Sequence, residues 1–197
     1  MRRVWLVGLA LALGALSAHG QDSEFGWRKL GETAPGLNID VLYGEPVKLA
    51  DGVGKHVYII EFWATWCGPC KFSMPHLSAI QEKYRDQGLV VIGISDESEE
   101  QVRPYIDGFD GPIRHTIAVD RVRTTVSRYM SGYGQEGIPV AFVIDANGRV
   151  VWIGNPASPF MEKLVVTLLE DLSKDEESER SEVSEEGPEP PVKTQTD

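Results

Sequence analysis

The sequence predicts an α/β fold in which a mixed central β-sheet carries helices on both faces. Two nearly continuous apolar segments, Val57–Trp63 and Leu89–Ile94, are typical of strands that are buried on both sides. A two-residue hairpin signal, Asn147-Gly148, lies between two further apolar segments near the end of the domain. Strand and helix patterns alternate before this hairpin, and that order favours a sheet covered on two faces.

The first half of the domain contains two predicted helices, one after each of the long apolar strands. The first is expected from near Cys67 to about Gln87, since Gly88 follows it as a stop signal. The second is expected over Glu97–Gly108, where acidic residues in the first turn suit the positive end of the helix dipole.

The second half adds shorter elements. Asp120 can cap a helix that runs to about Met130, and an amphipathic helix over Pro159–Leu172 ends the domain. Three apolar segments are predicted strands, the last two of them joined by the hairpin: Ile117–Val119, Pro139–Ile144 and Val150–Ile153.

The first 20 residues are predicted to be a signal peptide rather than part of the fold. Arg2 and Arg3 form a basic start, and Val4–Ala18 is an uncharged run of 15 residues, fewer than the roughly 20 that a helix needs to span a bilayer. Small residues at Ala18 and Gly20 favour cleavage after Gly20 over retention as an anchor. The mature protein is therefore expected to be exported, to the periplasm or another extracytoplasmic compartment, where disulfides persist.

Residues Ser173–Asp197 differ in composition from the rest of the chain, with nine acidic residues, three basic ones and three clustered prolines. Few of them could be buried, so packing would not offset the entropy lost on ordering. We expect a disordered acidic tail here, which leaves residues 21–172 as a single domain.

The composition excludes several functional classes. The chain of 197 residues has 30 acidic and 19 basic residues, and its net charge of −11 disfavours nucleic acid as a partner. Its two cysteines, Cys67 and Cys70, are too few for a disulfide-stapled scaffold or an all-cysteine zinc site. None of the histidines after the signal segment has metal-ligand spacing to the cysteines, so we expect neither a metal nor another cofactor.

The sequence Trp66-Cys67-Gly68-Pro69-Cys70 follows a buried strand and opens a predicted helix. The free N–H groups and the dipole of a helix N-terminus stabilise a thiolate, which predicts Cys67 as a nucleophile. Two intervening residues bring the sulfurs within bonding distance, so Cys70 could resolve a mixed disulfide with a substrate that binds over Trp66, Gly68 and Pro69. A static disulfide is the alternative, but so small a loop would add little stability.

Several motifs together resemble the thioredoxin superfamily over about Leu30–Leu172. The segment Glu61–Lys71 is similar to the family's active-site strand and turn, Pro75 to its helix-kinking proline, and Gly137-Ile138-Pro139 to its cis-proline loop. The segment Gly31–Pro35 is similar to the N-terminal extension of the exported TlpA/ResA-type branch.

The resemblance implies a thioredoxin-like fold with an N-terminal extension. It also implies a cis bond between Ile138 and Pro139 beside the cysteines, where exposed backbone would pair with an extended substrate. In thioredoxins a buried aspartate at the position of Glu61 accepts a proton from the second cysteine, so Glu61 is expected to serve Cys70 in the same way. A structural glutamate paired with a lysine or a backbone group is the alternative.

Two positions depart from the pattern of this branch. Its members usually carry a glutamate three residues after the second cysteine, where this chain has Ser73, and the difference disfavours dedication to cytochrome c maturation. They also tend to have a neutral residue at the position of Glu61.

These residues favour an exported thiol-disulfide oxidoreductase that acts mainly as a reductase or isomerase, since the Gly-Pro dipeptide is the one found in reducing thioredoxins. A thiol peroxidase on the same scaffold would need a threonine three residues before its reactive cysteine, and Ala64 stands there. A non-catalytic interaction module is the third hypothesis, which the intact Cys-Gly-Pro-Cys motif disfavours. The expected partners are proteins that contain disulfides and a membrane thiol donor of electrons, and the chain is expected to act as a monomer.

Overall fold

A computed structural model describes residues 30–185, which form one six-stranded β-sheet and four α-helices. The strands are β1 (Asp40–Tyr43), β2 (Val57–Phe62), β3 (Leu89–Ser95), β4 (Thr116–Val119), β5 (Val140–Ile144) and β6 (Val150–Gly154). The helices are α1 (Cys70–Tyr84), α2 (Glu99–Asp107), α3 (Thr124–Tyr129) and α4 (Pro159–Glu185). The predicted signal peptide, residues 1–20, lies outside the described residues.

The sheet is mixed, as the sequence predicted. Strands β2, β3 and β4 are parallel, whereas β1, β5 and β6 are antiparallel to their neighbours, in the spatial order β1-β4-β3-β2-β5-β6. All six residues of β2 are buried, because this strand lies between β3 and β5 in the middle of the sheet. Strand β1 was not predicted, because four half-exposed residues at the edge of a sheet are too few to show a hydrophobic period.

Alternate residues of β2 face opposite sides of the sheet. Ile60 and Phe62 belong to one apolar cluster, together with Phe142 and residues of α3. Val57 and Ile59 belong to another, together with residues of α1 and α4. Helices therefore cover both faces, which confirms the predicted architecture.

Helix α1 begins at Cys70 rather than near Cys67, where the sequence analysis placed its start. Cys67 instead closes a turn, in which its N–H donates to the Ala64 carbonyl oxygen at 3.0 Å. Pro69 is the N-cap of the helix and has helical backbone angles, which suits a residue with no N–H to leave unpaired. The predicted stop is confirmed, since a short 3-10 turn after α1 ends at Gly88, whose φ is 95°.

Helix α4 continues to Glu185, so the prediction of a disordered tail from Ser173 is wrong for the first part of that segment. The described side chains beyond Leu172 are exposed, in keeping with their polar composition. A helix that packing has already nucleated gains one hydrogen bond for each added residue, so its extension requires no further burial. The added residues also contain neither glycine nor proline. The remainder of the predicted tail lies outside the described part of the chain.

Candidate active site

Cys67 and Cys70 are joined by a disulfide bond where the chain passes from β2 into α1. Both are almost fully buried, with 3% and 1% of their surfaces exposed. The Cys70 N–H, at the start of the helix, donates to Cys67 Sγ at 3.3 Å. A backbone N–H and a helix N-terminus near one sulfur favour a thiolate there after reduction. The geometry therefore supports Cys67 as the nucleophile.

An exposed rim lies around the disulfide. Trp66, Gly68 and Pro69 are exposed, and 73% of the Trp66 surface is accessible to solvent. Phe72, which the sequence analysis did not single out, is 81% exposed in the first turn of α1. Its signal in the sequence was weak, because Pro75 and Ala79 on the same exposed side of α1 are also non-polar. Two exposed aromatic side chains so close to a disulfide offer an apolar contact surface for a polypeptide.

The loop before β5 lies next to the cysteines. The Ile138–Pro139 peptide bond is cis, as the resemblance implied. Ile138 packs against the apolar cluster that contains Cys67, Cys70 and Trp63. Two segments that are far apart in the sequence thus meet at the predicted site.

Glu61 lies in β2 with none of its surface exposed. Its Oε1 is hydrogen-bonded to Ser73 Oγ of α1, and its Oε2 has no hydrogen-bond partner among the described residues. Burial removes water from the carboxylate and raises the pKa of Glu61 to about 8, although the hydrogen bond from Ser73 lowers it. Glu61 is therefore mostly protonated at neutral pH, and the alternative of a glutamate paired with a lysine is not supported within residues 30–185.

Ser73 lies between Glu61 and the backbone of the second cysteine. Its Oγ contacts Glu61 Oε1 and lies 3.0 Å from the carbonyl oxygen of Cys70. A hydroxyl group has one proton and can donate it to only one of these oxygens at a time. A protonated Glu61 can donate to Ser73 while Ser73 donates to the carbonyl oxygen of Cys70, whereas an ionised Glu61 can only accept the hydrogen bond from Ser73. In the sequence, Ser73 stood out only as the position where this branch usually has a glutamate, because a contact between a helix and a strand has no local signal.

The described residues limit what else the site can hold. Residues 30–185 contain no group of three or more histidine, cysteine, aspartate or glutamate side chains placed to bind a metal ion. In the same part of the chain, no helix has the length and apolar character that a membrane span requires. The chemical groups at hand are the cysteine pair, the aromatic rim and the buried carboxyl group.

Known proteins are similar to this chain in sequence and in fold. The AhpC/TSA family matches residues 30–153 of the chain. A thiol-disulfide oxidoreductase ResA of Bacillus cereus is 32% identical over 124 residues, which are 62% of this chain and 68% of that protein. The protein of the same name from Geobacillus thermodenitrificans is 31% identical over 151 residues, which are 76% of this chain and 83% of that protein. Among solved structures, a thiol:disulfide interchange protein of the thioredoxin family from Chlorobium tepidum is 30% identical with a TM-score of 0.55, and the match covers 70% of this chain and 95% of that one.

Proposed function

We propose a function for this chain on the premise that it belongs to the AhpC/TSA family and is a thiol-disulfide oxidoreductase with a thioredoxin-like fold. In this proposal it reduces disulfide bonds of exported proteins with the two electrons of the reduced Cys67–Cys70 pair. The observation that carries the proposal is the bonded pair at the start of α1, beside the cis-proline loop and two exposed aromatic residues.

The first step is attack by Cys67 on the substrate. The reduced protein holds a thiolate at Cys67 and a thiol at Cys70. The thiolate forms a bond to one sulfur of the substrate disulfide, and the other substrate sulfur leaves as a thiolate. The N–H that donates to Cys67 Sγ and the N-terminus of α1 both favour the charged form of this residue. The backbone around Ile138 supports pairing with an extended substrate segment at this stage.

The second step is resolution by Cys70. Cys70 loses its proton and bonds to Cys67 Sγ, which forms the disulfide of the present structure and releases the second substrate sulfur as a thiolate. The substrate has then gained two electrons and the pair has lost two. We assign the acceptance of the Cys70 proton to Glu61, whose carboxyl group is hydrogen-bonded to Ser73, three residues after Cys70 in α1. With a pKa of about 8, about a tenth of Glu61 is ionised at pH 7 and can act as the base.

The cycle needs a reductant that returns two electrons to the oxidised pair. The predicted signal segment supports a location outside the cytoplasm, and we propose that a membrane thiol protein supplies the electrons there. The exposed rim of Trp66 and Phe72 supports proteins with disulfides as substrates, and we propose that the chain acts as a monomer.

The test is the reduction of insulin by dithiothreitol, followed as precipitation of the free chains. The wild-type protein should accelerate it, Cys67→Ser should be inactive, and Cys70→Ser should accumulate mixed disulfides with the substrate. The two variants are matched controls, since each removes one sulfur from the same turn. Accumulation by Cys67→Ser instead would reverse the assignment of the nucleophile.

Other outcomes of the same experiment would point to the other hypotheses. Turnover of hydrogen peroxide without reduction of insulin would support a thiol peroxidase. The absence of both activities would support a non-catalytic interaction module.

A further inference from the structure

Glu97 holds the residue two positions before the proposed nucleophile. It follows β3, and its carboxylate accepts two hydrogen bonds from Thr65, from the N–H at Oε2 and from the hydroxyl at Oε1, both at 2.7 Å. Hydrogen bonds to a charged acceptor are the stronger class, and a bidentate contact also fixes orientation. One side chain from the loop between β3 and α2 thus holds both polar groups of a residue in the active-site turn.

The carboxylate of Glu97 is itself held in place. Ser95, which is fully buried at the end of β3, donates its hydroxyl to Glu97 Oε2 at 3.0 Å and accepts the Glu97 N–H at 3.2 Å. The neighbouring acids Asp96 and Glu99 each pair with arginine, whereas Glu97 forms no ion pair within residues 30–185. The Glu97 carboxylate therefore accepts hydrogen bonds from the neutral groups of Ser95 and Thr65 instead of pairing with a cation.

Thr65 is a corner of the turn that carries Cys67. The turn is closed by the hydrogen bond from the Cys67 N–H to the Ala64 carbonyl oxygen at 3.0 Å, which makes Thr65 its second residue. Rotation of Thr65 would move Trp66 and Cys67, and with them the 3.3 Å contact between Cys67 Sγ and the Cys70 N–H. The contact with Glu97 therefore restrains the backbone that carries the reactive sulfur.

We propose that Glu97 is a positioning residue for the attack by Cys67. It accepts hydrogen bonds from the N–H and the hydroxyl of Thr65 and so keeps the Cys67 sulfur oriented for reaction with a disulfide. The inference rests on the proposed function, in which Cys67 is the nucleophile. Misplacement of a reacting group by about 1 Å can lower a rate by about 100-fold. Loss of the contact should slow the attack and leave the fold in place, because β2 and α1 on either side of the turn are anchored in the core.

The test is the rate at which the reduced protein reacts with dithiodipyridine, a small neutral disulfide, as a function of pH. The profile separates the pKa of the attacking thiol from the plateau rate of the fully ionised thiol. Glu97→Gln keeps the side-chain shape but replaces one acceptor oxygen by an N–H donor. Its plateau rate should fall about 10- to 100-fold, with urea denaturation of the oxidised protein little changed.

A matched control comes from the helix that follows this loop. Glu100→Gln changes an exposed acid in the first turn of α2 and should stay within about twofold of wild type. Loss of a nearby negative charge without loss of positioning would lower only the pKa of the thiol and leave the plateau in place. That outcome for Glu97→Gln would overturn the proposal.

A second variant keeps the proposal testable if Glu97→Gln does not fold. Thr65→Val removes the hydroxyl donor but keeps the N–H, so its plateau should fall by a smaller factor than that of Glu97→Gln. The double variant should fall no further than Glu97→Gln alone. An unchanged plateau for Thr65→Val, or additive losses in the double variant, would overturn the proposal. Failure of the proposed function would show differently, as a wild-type protein that reacts with dithiodipyridine through Cys67 but does not reduce insulin.

Discussion

Replacing Glu61 by glutamine should remove a large pH dependence from the stability of the oxidised protein. The substitution keeps the shape of the side chain and removes an ionisable group from the centre of the sheet. In the oxidised form Cys67 and Cys70 are bonded to each other, so neither titrates. The contribution of Glu61 then appears as the difference in free energy of unfolding between two proteins.

The sign and size follow from the pKa of Glu61 in the two states. The carboxyl group titrates near 4.5 when it is free in water, whereas burial raises its pKa in the folded protein to about 8. Between these values the folded protein retains a proton that the unfolded chain has lost. The free energy of unfolding therefore falls by about 1.4 kcal/mol for each pH unit. The stabilisation that is present below pH 4.5 is lost by pH 8, a change of about 5 kcal/mol.

The assay is urea denaturation of the oxidised proteins from about pH 5 to about pH 9. The free energy of unfolding of Glu61→Gln minus that of wild type should rise by about 1.4 kcal/mol per pH unit and level off near pH 8. The subtraction cancels other groups, including His115, whose pKa burial lowers to about 4 and whose effect on stability has the opposite sign. Glu82→Gln, at an exposed position of α1, is the matched control. Its free energy of unfolding minus that of wild type should not change with pH.

A difference that stays constant over this pH range would refute the reasoning. It would mean that Glu61 is ionised in the folded protein, with water or a cation beside it. Glu61 would then have no raised pKa with which to serve Cys70 near neutral pH. Where the difference does level off, the pH of that point measures the pKa of Glu61 in the folded state.

Three further predictions concern other residues. Ser73→Ala removes the hydrogen bond that lowers the pKa of Glu61, so resolution of the mixed disulfide should slow at neutral pH in rapid-quench experiments; equal slowing of the first attack would contradict this. Deletion of Ser173–Asp197 should leave insulin reduction and the melting temperature unchanged, since its described side chains are exposed, and a loss of several degrees would show that the segment docks. Asp120→Ala should lower the free energy of unfolding by about 2 kcal/mol, because this buried carboxylate accepts two backbone N–H groups at the start of α3. Its reaction with dithiodipyridine should match wild type, and an unchanged urea midpoint would exclude the capping role.

Much of the fold could be predicted because its signals are local. A strand that is buried on both faces must be apolar at almost every position, so β2 and β3 stand out in the sequence. Gly88 and the Asn147-Gly148 turn are likewise recognised from one or two residues. The start of α1 and the end of α4 were predicted wrongly, because each depends on which backbone hydrogen bonds form and not on composition.

The sequence alone determined the reactive pair, since Cys67 and Cys70 are the only cysteines in the chain and stand where a buried strand leads into a helix. Only the tertiary structure decided the state of the groups around that pair. Glu61 meets Ser73 across 12 residues of sequence, and Glu97 meets Thr65 across 32. The pKa of a carboxyl group depends on how completely surrounding atoms exclude water, and those atoms come from several elements of the fold. The same glutamate in an exposed edge strand would be an ordinary ionised side chain. The apolar neighbours of Glu61 in β2 indicated its burial, but only the fold shows its contact with Ser73.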